Sequence, residues 1–185
     1  MLQPTYPVKT ARLILRPFTK DDLSPLHAFQ SRPEVTRYLH WEPRSRADTA
    51  KALTEKIEHS TLREPGESMS VAVELIETGE LIGDLTLRWA SAEHRSGELS
   101  FIFHPKHYGR GYAAEATTEL LRMGFEELGL HRIFGRCDGR NIASASLMEG
   151  LGMRREAHLR EDELVKGEWT DKLVYAMLAA EWRRR

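Results

Sequence analysis

The run His104-Pro105-Lys106-His107-Tyr108-Gly109-Arg110-Gly111-Tyr112, with Phe101-Ile102-Phe103 before it and Ala113-Ala114-Glu115-Ala116 after it, constrains this chain more than any other segment. It predicts a strand that stops at Pro105, a loop with two glycines, and a long helix that begins at once. Glycine reaches backbone conformations closed to other residues and lets a ligand approach the main chain. The first N–H groups of a helix have no internal partner and carry the positive end of its dipole. Together these make an anion site suited to a pyrophosphate, with Arg110 as a cation at its rim. The run is neither a P-loop nor the GxGxxG dinucleotide fingerprint, since no Lys-Ser/Thr follows and the third glycine is missing. Taken alone, it also fits a tight turn whose glycines merely ease the start of a helix.

The flanking pattern has the length of one domain, 185 residues. Arg12 to Arg16 reads as a first strand, closed by Pro17. Thr19 with Asp21 and Asp22 signals a helix start, and Leu23, Leu26 and Phe29 share one face until Pro33. Ser45 to Thr61 predicts a second helix with Ala47, Ala50, Leu53 and Ile57 as its buried stripe. The period then changes to two: Met69, Val71, Val73 and Leu75 alternate with Ser70, Ala72 and Glu74. Thr78-Gly79 turns the chain back through Leu81 to Leu87, as a hairpin. Strands over Glu98–Phe103 and Ile133–Cys137 flank a helix over Ala113–Leu128, whose apolar side is Ala113, Ala116, Leu120, Leu121 and Phe125. A short helix over Ser144–Leu151 and paired strands over Arg155–Val165 and Asp171–Leu178 complete the order. The fold class is α+β or mixed α/β in one domain, 1–185.

The balance of 27 basic and 28 acidic residues leaves a net charge of −1, which disfavours a generic nucleic-acid binder. With a single cysteine, Cys137, no intramolecular disulfide or CxxC site forms, and a reducing cytoplasm is the expected setting. No apolar run reaches membrane-helix length. His104 and His107 flank the glycine loop without a third ligand at metal spacing, so no metal is expected.

Four separated segments resemble the GCN5-related N-acetyltransferases (GNAT), in that family's order and over about Thr10 to Trp182. Tyr108 to Ala113 is similar to the acetyl-CoA-binding pattern Arg/Gln-x-x-Gly-x-Gly/Ala, with Tyr108 departing from Arg/Gln. An aromatic there is similar to the RimJ/RimL type of ribosomal-protein N-acetyltransferase. Asn141-Ile142-Ala143-Ser144 with Glu149-Gly150-Leu151-Gly152-Met153, the opening Thr10 to Arg16, and Gly167-Glu168-Trp169-Thr170-Asp171 resemble further segments of that branch.

The resemblance implies a mostly antiparallel sheet, helices on both faces, and a gap between the family's fourth and fifth strands that takes the pantetheine arm of acetyl-CoA. It implies that Phe101, Ile102 and Phe103 offer the backbone edge for that arm. Tyr108, Gly109, Arg110, Gly111, Tyr112, Ala113 and Ala114 hold the pyrophosphate, and Asn141 and Ser144 form the far wall. Ser144 has three possible roles: helix cap, cofactor contact, or partner of the departing thiolate. The tyrosine acid of many relatives falls on Met148, and an acid some carry in the fifth strand falls on Arg136. Candidate bases are Glu98, Asp84, Glu161 and Asp162, with Glu98 foremost. An α-amine of reference pKa near 8 needs little base, and orientation supplies much of the rate.

Of the remaining residues, Cys137 reads as an inert core thiol, and Trp41, Trp89 and Trp169 as core or pocket walls. The basic end, Arg183 to Arg185, reads as solvated. The expected activity is acetyl transfer to a primary amine by direct attack, with a protein or peptide N-terminal α-amine as first acceptor. A small amine (antibiotic, polyamine or amino acid) and a silent acyl-CoA sensor are the alternatives. Dimers are common in the branch, so a homodimer is possible.

Overall fold

Residues 1–185 are described by a computed structural model. The hairpin of β3 (Ser68–Leu75) and β4 (Leu81–Ser91) is the centre of the sheet, and both of its faces are buried. Ser70 and Ala72 are covered along with Met69, Val71 and Val73, so the two-residue alternation marks two helical layers and not a wet face.

Around this hairpin the sheet has eight strands: β1 (Val8–Lys9), β2 (Leu13–Arg16), β3, β4, β5 (Ser96–Phe103), β6 (Arg132–Asp138), β8 (Glu168–Leu178) and β7 (Arg154–Val165), in that spatial order. Every neighbouring pair is antiparallel except β5–β6, which is parallel. The fold is therefore α+β. The two-residue β1, which pairs Val8 with Leu15, is an element the apolar pattern does not reveal.

On one face lie α1 (Leu23–Gln30), the single turn α2 (Pro33–Thr36) and α3 (Arg46–Glu58). They close a small core of Phe18, Leu26, Phe29, Leu53, Ala72 and Leu81, with Ile102 against it. The buried stripe of α3 is Thr49, Ala52 and Leu53, and Ala47 is exposed, which corrects the expected stripe. Thr49 tolerates burial because its hydroxyl donates to the Ser45 carbonyl and meets His27 Nδ1 at 3.1 Å. The other face carries α4 (Tyr112–Arg122), continued by one wider turn to Glu127, and α5 (Ile142–Gly150). Leu85, Leu87, Leu99, Phe103, Leu120 and Ile133 form the larger core there. A final turn, α6 (Ala179–Trp182), follows β8.

Between β2 and α1, Arg16 donates to both oxygens of buried Asp22, each at 2.8 Å, and to Glu74 at 2.7 Å. Burial pushes the Asp22 carboxyl up, but the Arg16 bonds and the Thr19 N–H outweigh it, so it sits below the ordinary carboxylate range. A folded pKa below the unfolded one gives stability that is present at neutral pH and lost as pH falls through and below that range. Arg16→Gln should cost about 2–3 kcal/mol at pH 7. Urea midpoints should show the gap between variant and wild type narrowing in acid.

Candidate functional site

The parallel pairing of β5 with β6 is short: Ser96, Gly97 and Glu98 face Arg132, Ile133 and Phe134, and pairing stops there. Leu99 to Phe103 stay paired with β4, and Gly135 to Asp138 with β8, so the two strands part and leave a gap between them. Phe101, Ile102 and Phe103 form one edge of this gap. Phe101 and Phe103 lean on the α4 core and Ile102 on the α1–α3 core.

The glycine loop opens at the same end. Gly109 and Gly111 sit at φ +72° and +79°, the left-handed region that favours glycine. No protein acceptor meets the N–H groups of Gly109, Arg110, Gly111, Tyr112, Ala113 or Ala114, and the first helical bond is Glu115 N–H to the Gly111 carbonyl at 3.1 Å. Six successive free donors at a helix N-terminus suit the pyrophosphate oxygens of an acyl-CoA. Tyr108 is largely exposed, and Arg110 has no acidic partner.

A clamp from the turn between β1 and β2 fixes this loop, and sequence reasoning missed it. Glu115 accepts from the Arg12 backbone N–H at 2.8 Å, from Arg12 Nε at 2.7 Å and from the Thr10 hydroxyl at 2.5 Å. Arg12 Nη1 then donates to the Arg110 carbonyl at 3.0 Å, and the guanidinium lies 4.6 Å from the Tyr112 ring centroid. Nothing in the separate segments announces such a pairing.

On the far side of the gap Asn141, not Ser144, caps α5: Asn141 Oδ1 accepts the Ser144 N–H at 3.1 Å. The Ser144 hydroxyl makes no bond within the protein, nor does the Asn141 amide nitrogen. Met148 is buried beneath α5.

Across β4 and β5, side chains on the α1–α3 face form cross-strand pairs: Asp84 with Ile102, Thr86 with Ser100, Arg88 with Glu98. The Glu98 carboxylate is held by Arg136 Nε and Nη2, both at 2.7 Å, with Arg88 at 4.0 Å. Asp84, only 3% exposed, accepts from Lys56 at 2.8 Å and Gln30 at 3.4 Å. Both carboxylates thus have cationic partners. Glu161 and Asp162 lie on β7, away from the gap, where Asp162 bonds Lys172 at 2.6 Å.

A pocket of about 170 Å³ opens on this face, lined by Asp84, Thr86, Ser100 and Ile102 from the sheet, Gln30 from α1 and Lys56 from α3. Trp41 and Arg44, from the segment between α2 and α3, complete its wall. Of the other tryptophans, Trp89 packs against the larger core and Trp169 is exposed. Burial, with Asp138 and Glu149 nearby, pushes the Cys137 thiol up to about 11, so it stays protonated and a poor nucleophile at neutral pH. Burial, with Arg32 and His107 nearby, holds His104 below the ordinary histidine range. Buried His107 lies 3.3 Å from Glu80.

A sheet split beside a helix whose N-terminus lacks partners leaves room for an extended ligand that carries a diphosphate, as an acyl-CoA does. The sequence matches the family described as "Acetyltransferase (GNAT) domain" over residues 12–154, and the chain belongs to it. It is 31% identical to an uncharacterized N-acetyltransferase, YnaD, of Bacillus subtilis, over 95% of this chain and 98% of that one. A solved GNAT-family acetyltransferase from Bacillus anthracis is similar at TM-score 0.85 and 30% identity, over 94% and 99% of the two chains. The spermidine N-acetyltransferase of Vibrio cholerae, solved in complex with CoA and spermine, is similar at TM-score 0.79 and 26% identity, over 94% and 99%. The protein is an N-acetyltransferase of a family that uses acetyl-CoA. No helix is long and apolar enough to cross a membrane.

Proposed function

We propose that the chain moves an acetyl group from acetyl-CoA to the primary amine of a small acceptor seated in the pocket beside Ser100 and Thr86. Bound in the gap, acetyl-CoA supplies an activated thioester carbonyl that an amine attacks directly, releasing CoA. The observation that carries this reading is the coincidence of three features at one end of the sheet: the parting of β5 from β6 after Glu98, the six unpartnered N–H groups of 109–114, and the pocket.

The protein's own residues divide the work. Phe101 to Phe103 offer the strand edge to the amides of the arm, and Gly109 to Ala114 take the diphosphate. The Ser144 hydroxyl and Asn141 amide, both free to donate, wall the far side. The exposed backbone of β5 past Glu98 provides the donor for the oxyanion. At about 170 Å³ the pocket is smaller than the roughly 300–1,000 Å³ of drug-sized sites, which favours a compact acceptor. A peptide N-terminal α-amine, the acceptor class of the RimJ/RimL type, is the second reading, supported by the exposure of Ser100 at the pocket mouth.

With Arg136 and Arg88 already on Glu98, the amine proton leaves through water. Glu98→Gln should then lower turnover less than tenfold, and rate should follow the free-amine fraction of the acceptor. A loss of about 10²–10⁴-fold with normal acetyl-CoA affinity would make Glu98 the principal base. The function itself is tested by CoA release from acetyl-CoA against a panel of small amines and N-terminal peptides. Amine-dependent release is the expected result, and tight acetyl-CoA binding without turnover of any amine would instead make the chain an acyl-CoA sensor.

A further inference from the structure

Arg44 lines the acceptor pocket and has no carboxylate within ion-pairing distance. Its backbone N–H donates to the Gln30 carbonyl at 3.0 Å, Nη1 donates to Gln30 Oε1 at 2.7 Å, and its guanidinium lies 4.2 Å from the Trp41 ring centroid. The group is therefore fixed in place while keeping further N–H donors unused. The one acid in the pocket wall, Asp84, is matched by Lys56 and bonded by Gln30. The hydroxyls of Thr86 and Ser100 make no bond within the protein. Counting the wall residues alone, Arg44 and Lys56 against Asp84, one positive charge is left over facing a space of about 170 Å³, with Asp48 the nearby acid outside the wall.

We infer that the acceptor is a small amine that also carries a carboxylate, an amino-acid-like molecule, and that Arg44 is the residue that selects it. The inference rests on the transferase reading above and narrows it. A guanidinium held over an indole and tied to Gln30 is pre-organised to donate two parallel bonds to a carboxylate. With the carboxylate on Arg44, the amine of a compact acceptor reaches towards Ser100, two residues along β5 from the point where the gap begins. A polyamine meets the opposite field: its several positive charges would face Arg44 and Lys56, and no unpaired carboxylate receives them.

The test is kcat/KM for CoA release at fixed pH with matched acceptors: leucine with leucinamide and isoamylamine, phenylalanine with phenethylamine, and spermidine. Leucinamide is the stringent control, since its amine loses a proton more readily than that of leucine and would win if charge recognition were absent. The carboxylate-bearing member of each set should be favoured about ten- to hundredfold. In Arg44→Gln the ratio should fall towards one, mostly through KM for the amino acid, and Arg44→Lys should restore part of it. Circular dichroism checks folding, and if Arg44→Gln is unfolded, the partial ratio expected of Arg44→Lys decides. Equal or better turnover of leucinamide, the plain amines or spermidine by the wild type overturns the inference, as does a ratio that survives in Arg44→Gln. CoA release with N-terminal peptides but with no member of these sets would also overturn the inference, whereas no release with any amine, peptides included, would instead overturn the transferase reading, so the two failures are distinct.

Discussion

Replacing Gly111 with tryptophan should lower acetyl-CoA affinity by on the order of 10²-fold or more while leaving a folded protein. Gly111 is the N-cap residue of α4, in left-handed backbone at φ +79°. A Cβ there would lie 3.4 Å from Arg12 Nη2, and the indole beyond it would occupy space in front of the free N–H groups of 110–114. Loss of two charge-assisted bonds to phosphate accounts for the affinity change. The left-handed geometry adds a folding cost of about 1–2 kcal/mol, worth a few degrees of melting temperature at this size. Calorimetry with acetyl-CoA and a thermal melt separate the two effects. Wild-type affinity in Gly111→Trp would remove the loop from the cofactor site.

Lys56→Ala should cost about 3–5 kcal/mol of stability, the largest single loss expected from one side chain around the pocket. Asp84 is only 3% exposed and would be left without its cation, with only a long bond from Gln30. An uncompensated buried charge is far more costly than the absence of the pair. The double variant Lys56→Ala with Asp84→Asn should therefore recover most of the loss in urea titrations. A double variant as unstable as Lys56→Ala would show that packing of the lysine stem against Phe18, with Nζ 5.6 Å from the ring centroid, carries the effect instead.

These outcomes reflect which parts of the molecule are written locally. The glycine loop is legible because left-handed backbone at Gly109 and Gly111 restricts the residue type at each position. The long helix after it is legible because Ala116, Leu120 and Leu121 face one core. The stripe of α3 misleads because Thr49 and Lys56 look like surface residues, yet one bonds His27 and Ser45 and the other neutralises Asp84. The β1 strand is two residues long, too short to carry any period.

Among site residues the same division holds. Arg12 and Glu115 form the clamp on the loop from positions 103 residues apart, and each alone is an ordinary surface ion. Ser144 at a helix start looks like a cap, but Asn141 takes that role three residues earlier and leaves the serine hydroxyl free. Arg44 carries no motif at all. Its meaning comes from Trp41, Gln30 and the already paired Asp84, which only the fold assembles.

A crystal structure of the protein with acetyl-CoA tests the site most directly. The pantetheine arm should lie between Phe101–Phe103 and Gly135–Cys137, the diphosphate should be bonded by main-chain N–H groups of 109–114, and the acetyl end should reach the side of the sheet that carries Ser100. Acetyl-CoA bound elsewhere, with β5 and β6 drawn together and those N–H groups left to solvent, would contradict the assignment of both the cofactor site and the acceptor pocket.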